Sequence, residues 1–401
     1  MTIATNVIAL ETDHVLQVYR RGPVVFERGR GCRLYDADGR AYLDLLSGIG
    51  VASLGHAHQR LAAAISEQAS TLLHTSNLFY HPLQGEVAAR LAQLTGLPKV
   101  FFCNSGAEAV EACLKFSRRF WHKQGLTERT RFVAFERGFH GRTMGSLSVT
   151  WDDHYRAPFG PLLADVQWVG TDDVAGLERA VTDRTAAIIV EPLQGEGGVR
   201  PIGPRMAQAI AAACEGTGAL LVADEVQCGL GRTGRPVYSE AIGLQPDLMA
   251  LGKALGAGVP IGAAVFSDRV ASAAAFGDHG STYGGNLLAC RAALVFLEEL
   301  VDNGLMTHVA RVGGILEQEL RGIASRHPIV REVRGAGLMW GLDLDRPAAP
   351  VVEAALAAGL LVNRTSDTVV RLLPPYIITP PEISEGVALL ERAIASVEEA
   401  Q

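Results

Sequence analysis

The chain lacks most features that mark specialised classes of protein. Its six cysteines (Cys32, Cys103, Cys113, Cys214, Cys228 and Cys290, among 401 residues) form no C-x-x-C pair, which argues against a zinc site and against a disulfide framework. No stretch approaches the ~18 consecutive apolar residues of a membrane span. The opening, MTIATNVIALETDHVLQVYRR, has neither a basic start followed by an apolar core nor an Arg-rich amphipathic pattern, so a soluble, cytoplasmic protein is expected. Positive charge is not in excess: the formal net charge is −7, and no Lys/Arg stripe is present, which argues against nucleic acid as a partner. Anionic ligands must then be met by individual arginines. His56 and His58 in LGHAH have no third ligand at metal-binding spacing, so they are expected to serve as loop hydrogen-bonding groups, and no metal is expected. There is no internal repeat and no low-complexity tract.

What the chain does have is apolar surface to bury. Hydrophobic residues make up 48% of it, enough over this length for a large core or for two domains. Short apolar runs recur: KVFFC (99–103), RFVAF (131–135), AAIIV (186–190), ALLVA (219–223), LMALG (248–252) and GAAVF (262–266). Nearly unbroken runs suit strands of a sheet covered on both faces, and helix-like segments lie between them. The fold expected is α/β, a mostly parallel sheet flanked by helices. NSGAE, ERGFHGRT, EPLQGE, DEVQ and Lys253 stand where parallel strands end, and open α/β sheets bind ligands at those ends. Five strand ends are therefore expected to converge on one pocket. From about Asn286 onward, VREVRGAGLMWGLDL (330–344) and VVRLLPPYIIT (369–379), with long Ala/Leu/Glu/Arg patterns, suggest a smaller α+β domain. The Ala-rich stretches 207–213 and 271–275 are expected to be helical.

Residues 224–235, DEVQCGLGRTGR, contain G-x-G-x-x-G at Gly229, Gly231 and Gly234. A dinucleotide fingerprint needs its glycines directly after a strand and its last glycine inside a helical turn, so that pyrophosphate meets the helix N-terminus. Here the four residues DEVQ and then Cys228 separate ALLVA from Gly229, and Arg235-Pro236 follow Gly234 in a stretch with no apolar periodicity. A nicotinamide-dependent dehydrogenase is therefore disfavoured, and the glycines are expected to form a bent loop.

The remaining candidates point to one chemistry. Asn104-Ser105-Gly106 lie between an apolar run and a helix whose apolar face runs Val110, Cys113, Leu114, Ser117, Phe120 and Trp121. Ser105 or Asn104 would cap that helix, and its free N–H groups suit a single phosphate. Lys253, after LMALG and before ALGAGVPIG, is a lysine closing an apolar strand; its ammonium must be desolvated or used, the condition that favours a Schiff base. Asp224 stands at a strand tip, where an isolated Asp is usually a cap or turn residue. Together, a phosphate cradle, a pocket lysine and a strand-end acid are what pyridoxal phosphate requires: an anchor, an imine partner and a proton-holding group at the ring nitrogen.

The stretches NSGAEAVEACLK, FHGRT, VEPLQGEGGV, ADEVQCGLGRTG, LGKALGAGVPIGA and HGSTYGGN resemble the successive signatures of the class III, fold-type I, pyridoxal-phosphate-dependent aminotransferases. The resemblance runs through nearly the whole chain, from GCRLYDADGRAYLDLLSGIGVASLGHAH to VVRLLPPYIIT. It implies an N-terminal segment (1–50) packing with the small domain, a large cofactor-binding domain (51–285) and a small C-terminal α+β domain (286–401). It implies Lys253 as the imine lysine and proton-moving base, with Asp224 at the ring nitrogen. Glu225 and Val226 belong to the same cofactor-binding stretch, and Gln227 supports the ring hydroxyl. Ser105, Gly106 and Ala107 hold the phosphate, Phe139 stacks on the ring, and Thr282 reaches the phosphate of a neighbouring subunit, so a homodimer is implied. Substrate carboxylates are met by Arg142 and Arg371, with Ser281 nearby. Glu196 masks Arg371 for one substrate and releases it for the other.

Within the class, HTSNLFY (74–80) and the compact length are most similar to members acting on N2-acetylornithine, which implies transfer of its terminal amine to 2-oxoglutarate. Members acting on ornithine, succinylornithine or 4-aminobutyrate share the cofactor residues. Members acting on free ornithine carry a tyrosine near the SGIG stretch, where Ser47-Gly48-Ile49 here leaves room, favouring an acylated α-nitrogen. Val110 and Ala52 stand where many acetylornithine-type members have asparagine, departures that leave the cofactor plan intact.

Overall fold

A computed structural model describes residues 3–399; residues 1, 2, 400 and 401, at the outer ends of the two flanking segments expected above, lie outside the described residues. At its centre is a seven-stranded sheet of β1 (Lys99–Cys103), β2 (Arg131–Phe135), β3 (Val166–Val169), β4 (Thr185–Val190), β5 (Leu220–Asp224), β6 (Leu248–Leu251) and β7 (Gly262–Phe266). Their spatial order is β1-β7-β6-β5-β4-β2-β3. All six residues of β4 are buried, and alternate side chains enter different cores. Ala187 and Ile189 meet Val110, Cys113 and Leu114 of the 106–123 helix, whereas Ile188 and Val190 meet Met206 and Ile210 of the 204–217 helix. That double burial explains why the sequence shows continuous apolar runs rather than alternation.

Three local expectations need correction. GAAVF pairs antiparallel with both neighbours, β6 and β1; because it reverses once on each side, β1 still points the same way as the other five strands. Strand β3 was not anticipated, because VQWV carries a polar residue at the sheet edge, where its pattern is diluted. The Ala-rich 271–275 stretch is not a helix: the Asp268–Ala271 turn ends there, and Ala273 is instead used as a small buried residue beyond it. The 207–213 stretch lies within the Pro204–Thr217 helix.

A second sheet, antiparallel throughout, contains Val330–Ala336, Met339–Leu344, Val369–Leu372 and Asn363–Thr365. It lies with the 305–326 and 380–399 helices in one apolar core. The N-terminal strands, 26–30, 33–36 and 41–44, join this region, since Leu43 and Asp44 pair in parallel with Leu360 and Leu361. The glycine stretch 229–234 is a bent loop, with Gly231 at φ 86° and Gly234 at φ 77°, and Gly234 is followed by no helix before Tyr238. It offers no helix N-terminus to a pyrophosphate, so the dinucleotide pattern has no structural counterpart. His56 and His58 are loop hydrogen-bonding groups: His56 Nε2 lies 2.8 Å from Asp44 Oδ2, and His58 caps the 59–71 helix.

Candidate active site

The carboxyl ends of β1, β2, β4, β5 and β6 face a cavity of about 280 Å³. After β1 the chain turns into the Gly106–Lys123 helix, capped by Ser105, whose Oγ accepts from Glu108 N–H at 3.2 Å. Gly106 and Ala107, the first two helical residues, line the cavity, leaving their unpaired N–H groups to meet an anion. A Cβ on Gly106 would lie 2.6 Å from Val226 Cγ1, so this close packing against the β5 loop admits only glycine.

After β2, Phe139 lines the cavity, and Arg142 stacks over Tyr155 with its guanidinium carbon 3.5 Å from the ring centroid. His140, buried, donates from Nδ1 to Asp224 Oδ2 at 2.7 Å, while its Nε2 has no partner among the described residues. Asp224 closes β5 as a buried acid lining the cavity, and its other oxygen accepts from Val226 N–H at 3.1 Å.

After β4, Glu191 is buried with two backbone donors, Phe139 N–H at 2.8 Å and Gly195 N–H at 2.9 Å. Burial wins over these bonds and over the charge of His140, and raises its carboxyl to about 7. His140 and Glu191 were both missed in the sequence. The available signal was position, one residue after Phe139 and one after the β4 run, but neither matched a role that chemistry demanded.

Lys253 opens a 3₁₀ turn after β6, held at φ 41°. Its side chain lines the cavity, and burial lowers its pKa despite the opposing pull of Glu196. Arg371, from the 369–372 strand of the small sheet, is fully buried and reaches across to this group. Its Nη1 donates to Glu196 Oε1 at 2.6 Å and to Gln227 Oε1 at 3.1 Å, and its Nε donates to Asn363 Oδ1 at 3.2 Å. Its Nη2 is buried without a partner among the described residues. Burial pushes Glu196 upward, but Arg371 and Lys253 prevail and hold it below the ordinary carboxyl value.

The structure thus brings together Gly106, Ala107, Phe139, Arg142, Glu196, Asp224, Val226, Gln227 and Lys253 around one cavity, with Arg371 bonded to two of them. Ser105 acts one residue back, as the cap. Glu225 points away from the cavity: its oxygens accept from Ser239 N–H and the Cys228 thiol at 3.1 Å, bracing the glycine loop. Ser281 sits beside the turn into the 106–123 helix, where its Oγ accepts from Asn104 Nδ2 at 3.3 Å and Gly284 N–H at 2.9 Å rather than joining Arg371. Thr282 is exposed and outside the cavity. Ser47, Gly48 and Ile49 do not line it either. Among the described residues no group of acids, histidines and cysteines is arranged to hold a metal.

A helix N-terminus, a buried amine and a strand-tip acid whose partner histidine is itself oriented fit a phosphorylated pyridine aldehyde. An unpartnered arginine nitrogen nearby fits a carboxylate. The chain belongs to the class III aminotransferases, whose family model matches residues 17–394. It is 45% identical over 383 residues to the acetylornithine aminotransferase of Archaeoglobus fulgidus, covering 96% of this chain and 99% of that one. Its fold is similar to that of the ornithine aminotransferase of Toxoplasma gondii, with a TM-score of 0.95, 33% identity, and coverage of 100% and 97% of the two chains. It is also similar to a PLP-bound amine transaminase from an uncultivated Pseudomonas species, with a TM-score of 0.89, 32% identity, and coverage of 95% and 97%.

Proposed function

We propose that this aminotransferase moves the terminal amino group of N2-acetylornithine to 2-oxoglutarate with pyridoxal phosphate as cofactor, giving N-acetylglutamate semialdehyde and glutamate. The observation that carries the reading is Lys253, buried with a lowered pKa in a cavity that also presents Asp224 and a helix N-terminus. The 45% identical acetylornithine aminotransferase supports the choice of donor.

Bound there, pyridoxal phosphate supplies an aldehyde carbon and an electron-withdrawing ring. Lys253 is the amine partner of that aldehyde and the base that moves the proton at the donor's terminal carbon. Asp224, oriented by His140, keeps a proton on the ring nitrogen. Gln227 supports the ring hydroxyl, Phe139 and Val226 pack on the ring, and Ser105, Gly106 and Ala107 receive the phosphate. Glu225 acts at one remove by bracing the loop.

Arg142 takes the carboxylate of the amino donor. Arg371 takes that of glutamate or 2-oxoglutarate once Glu196 swings off it; while the pair is closed, the cationic end of the site is neutral and admits the uncharged middle of the longer donor. Thr282 of a second copy, with Ser281, completes the phosphate end, making the working unit a homodimer. The division into 1–50, 51–285 and 286–401, and a cytoplasmic location suited to six free thiols, belong to the same proposal. The deciding experiment offers acetylornithine, free ornithine and 4-aminobutyrate with 2-oxoglutarate as acceptor. Acetylornithine is expected to give the highest kcat/KM, and a clear preference for 4-aminobutyrate overturns the assignment.

A further inference from the structure

The glycine loop 229–234 has no part in the chemistry above, yet it holds the most deeply buried cation outside the cavity. Arg232 is 1% exposed, and no carboxylate pairs with it among the described residues. The Tyr376 ring centroid lies 4.4 Å from its guanidinium carbon, while Nε and Nη2 have no partner among the described residues. A buried cation without a counter-charge is costly, so stability alone does not account for an arginine here.

The loop leaves the Asp224–Gln227 stretch and enters the small sheet. Gly234, at φ 77°, packs so close to the 305–326 helix that a Cβ would lie 2.8 Å from Ala310 Cα, and a Cβ on Gly337, at φ 55°, would lie 2.7 Å from Arg232 O. At this contact Leu338 N–H donates to Arg232 O at 2.9 Å, and Arg232 Nη1 donates to Leu338 O at 3.1 Å and to Pro374 O at 2.5 Å. One guanidinium nitrogen therefore joins two carbonyls of neighbouring strands. Leu338 precedes the Met339–Leu344 strand and Pro374 follows Val369–Leu372; the two strands pair antiparallel, with Gly341 opposite Arg371 and Trp340 opposite Leu372. Carried past the strand ends, that register sets Leu338 against Pro374. Proline has no N–H, so the ladder cannot form a rung there, and two buried carbonyls would be left without a donor. Arg232 supplies that donor. A second bond ties the same exit to the loop, since Tyr376 Oη donates to Leu230 O at 3.0 Å. On the other side Leu373 N–H donates to Leu45 O at 2.7 Å, and its carbonyl accepts from Ser47 Oγ at 2.6 Å.

We propose that Arg232 is a positioning residue for Arg371: it replaces the ladder rung that Pro374 denies the strand, and so sets the affinity for the dicarboxylates, glutamate and 2-oxoglutarate, apart from that for the acylated donor. The inference rests on the proposed use of Arg371 for those dicarboxylates alone, with the donor bound while Glu196 still covers it. A shift of ~1 Å in such a group is enough to cost a large share of its binding. The cofactor-loaded enzyme is titrated calorimetrically with glutarate, which has both carboxylates of 2-oxoglutarate but no keto group, and with N2-acetylnorvaline, which lacks the terminal amine; neither can react. In Arg232→Met the affinity for glutarate is expected to fall roughly tenfold and that for N2-acetylnorvaline by less than about twofold. Arg232→Lys, which keeps a donor for the two carbonyls, is expected to recover part of the difference. An equal loss of both ligands is the mark of a merely structural residue and overturns the positioning role, as does an unchanged ratio. Where the Arg232 variants do not fold, Tyr376→Phe, which removes only the bond to Leu230 O, takes their place with an expected shift of about twofold to threefold and the same overturning outcomes. If N2-acetylnorvaline does not bind the unaltered enzyme, the donor assignment falls, and loss of glutarate binding against unchanged retention of cofactor on dialysis decides the role of Arg232.

Discussion

Three side chains lining the cavity each make a separate prediction. Lys253→Ala removes both the amine partner and the base, and is expected to lower kcat by a factor on the order of 10,000; steady-state rates with acetylornithine check it. Glu196→Ala leaves the Arg371 guanidinium permanently exposed to substrate. Its kcat/KM ratio of acetylornithine to glutamate is expected to fall roughly tenfold, as glutamate gains an unmasked cation and acetylornithine meets an uncompensated one; an unchanged ratio in paired kinetics rules out the gate. Glu191 carries a pH signature. Burial raises it to about 7, so the folded protein holds its proton more tightly than the unfolded chain. The resulting stabilisation is complete below the ordinary carboxyl pKa of ~4.3 and is lost as pH rises through about 7. Between about pH 5 and pH 8, the melting temperature of the unaltered protein is expected to decline more steeply than that of Glu191→Gln, as followed by scanning calorimetry. Lys253 and Asp224 were legible in the sequence because an ionisable residue closing an apolar strand needs a reason to be there. Glu191, in an equivalent position, was passed over because its partners are backbone N–H groups brought close by folding.

At the scale of elements, the proposed phosphate cradle depends on the start of the 106–123 helix. Ser105→Ala removes the cap and is expected to cost about 1 kcal/mol of stability in denaturant titrations. Gly106→Ala drives a methyl group against Val226, an overpacking worth roughly 1–3 kcal/mol, and displaces the N–H groups as well; faster loss of cofactor on dialysis is the expected result. The strands β1, β2, β4, β5, β6 and β7 were readable from composition alone, because burial on both faces leaves little polar residue to confuse the pattern. Direction was not readable: GAAVF runs antiparallel, and an apolar run has the same composition whichever way it points. The 229–234 glycines show the converse, a motif that matches as letters but turns where a helix was required.

At the scale of the whole molecule, large apolar side chains stand in water in two segments joined through Asn77. Leu78, Phe79, Tyr80, Phe276 and Tyr283 are all exposed, Tyr80 and Phe276 completely. They lie in the two segments flanking the cavity's phosphate end, where Asn77 Nδ2 donates to Ser281 O and Gly284 O. A face of this kind suits a second copy. Sedimentation equilibrium is expected to give the mass of two chains, and Tyr80→Asp with Phe276→Asp to give monomers that have lost activity. The chain by itself determined which apolar runs become strands, the capped helix start at Ser105 and the roles open to Lys253 and Asp224, because burial and the chemistry of strand ends are local properties. Only the tertiary structure decided that Arg371, 118 positions after Lys253 in the sequence, meets Glu196 and Gln227 from another sheet, and that His140 orients Asp224. Contacts between distant segments depend on how layers pack, and no spacing along the chain encodes that.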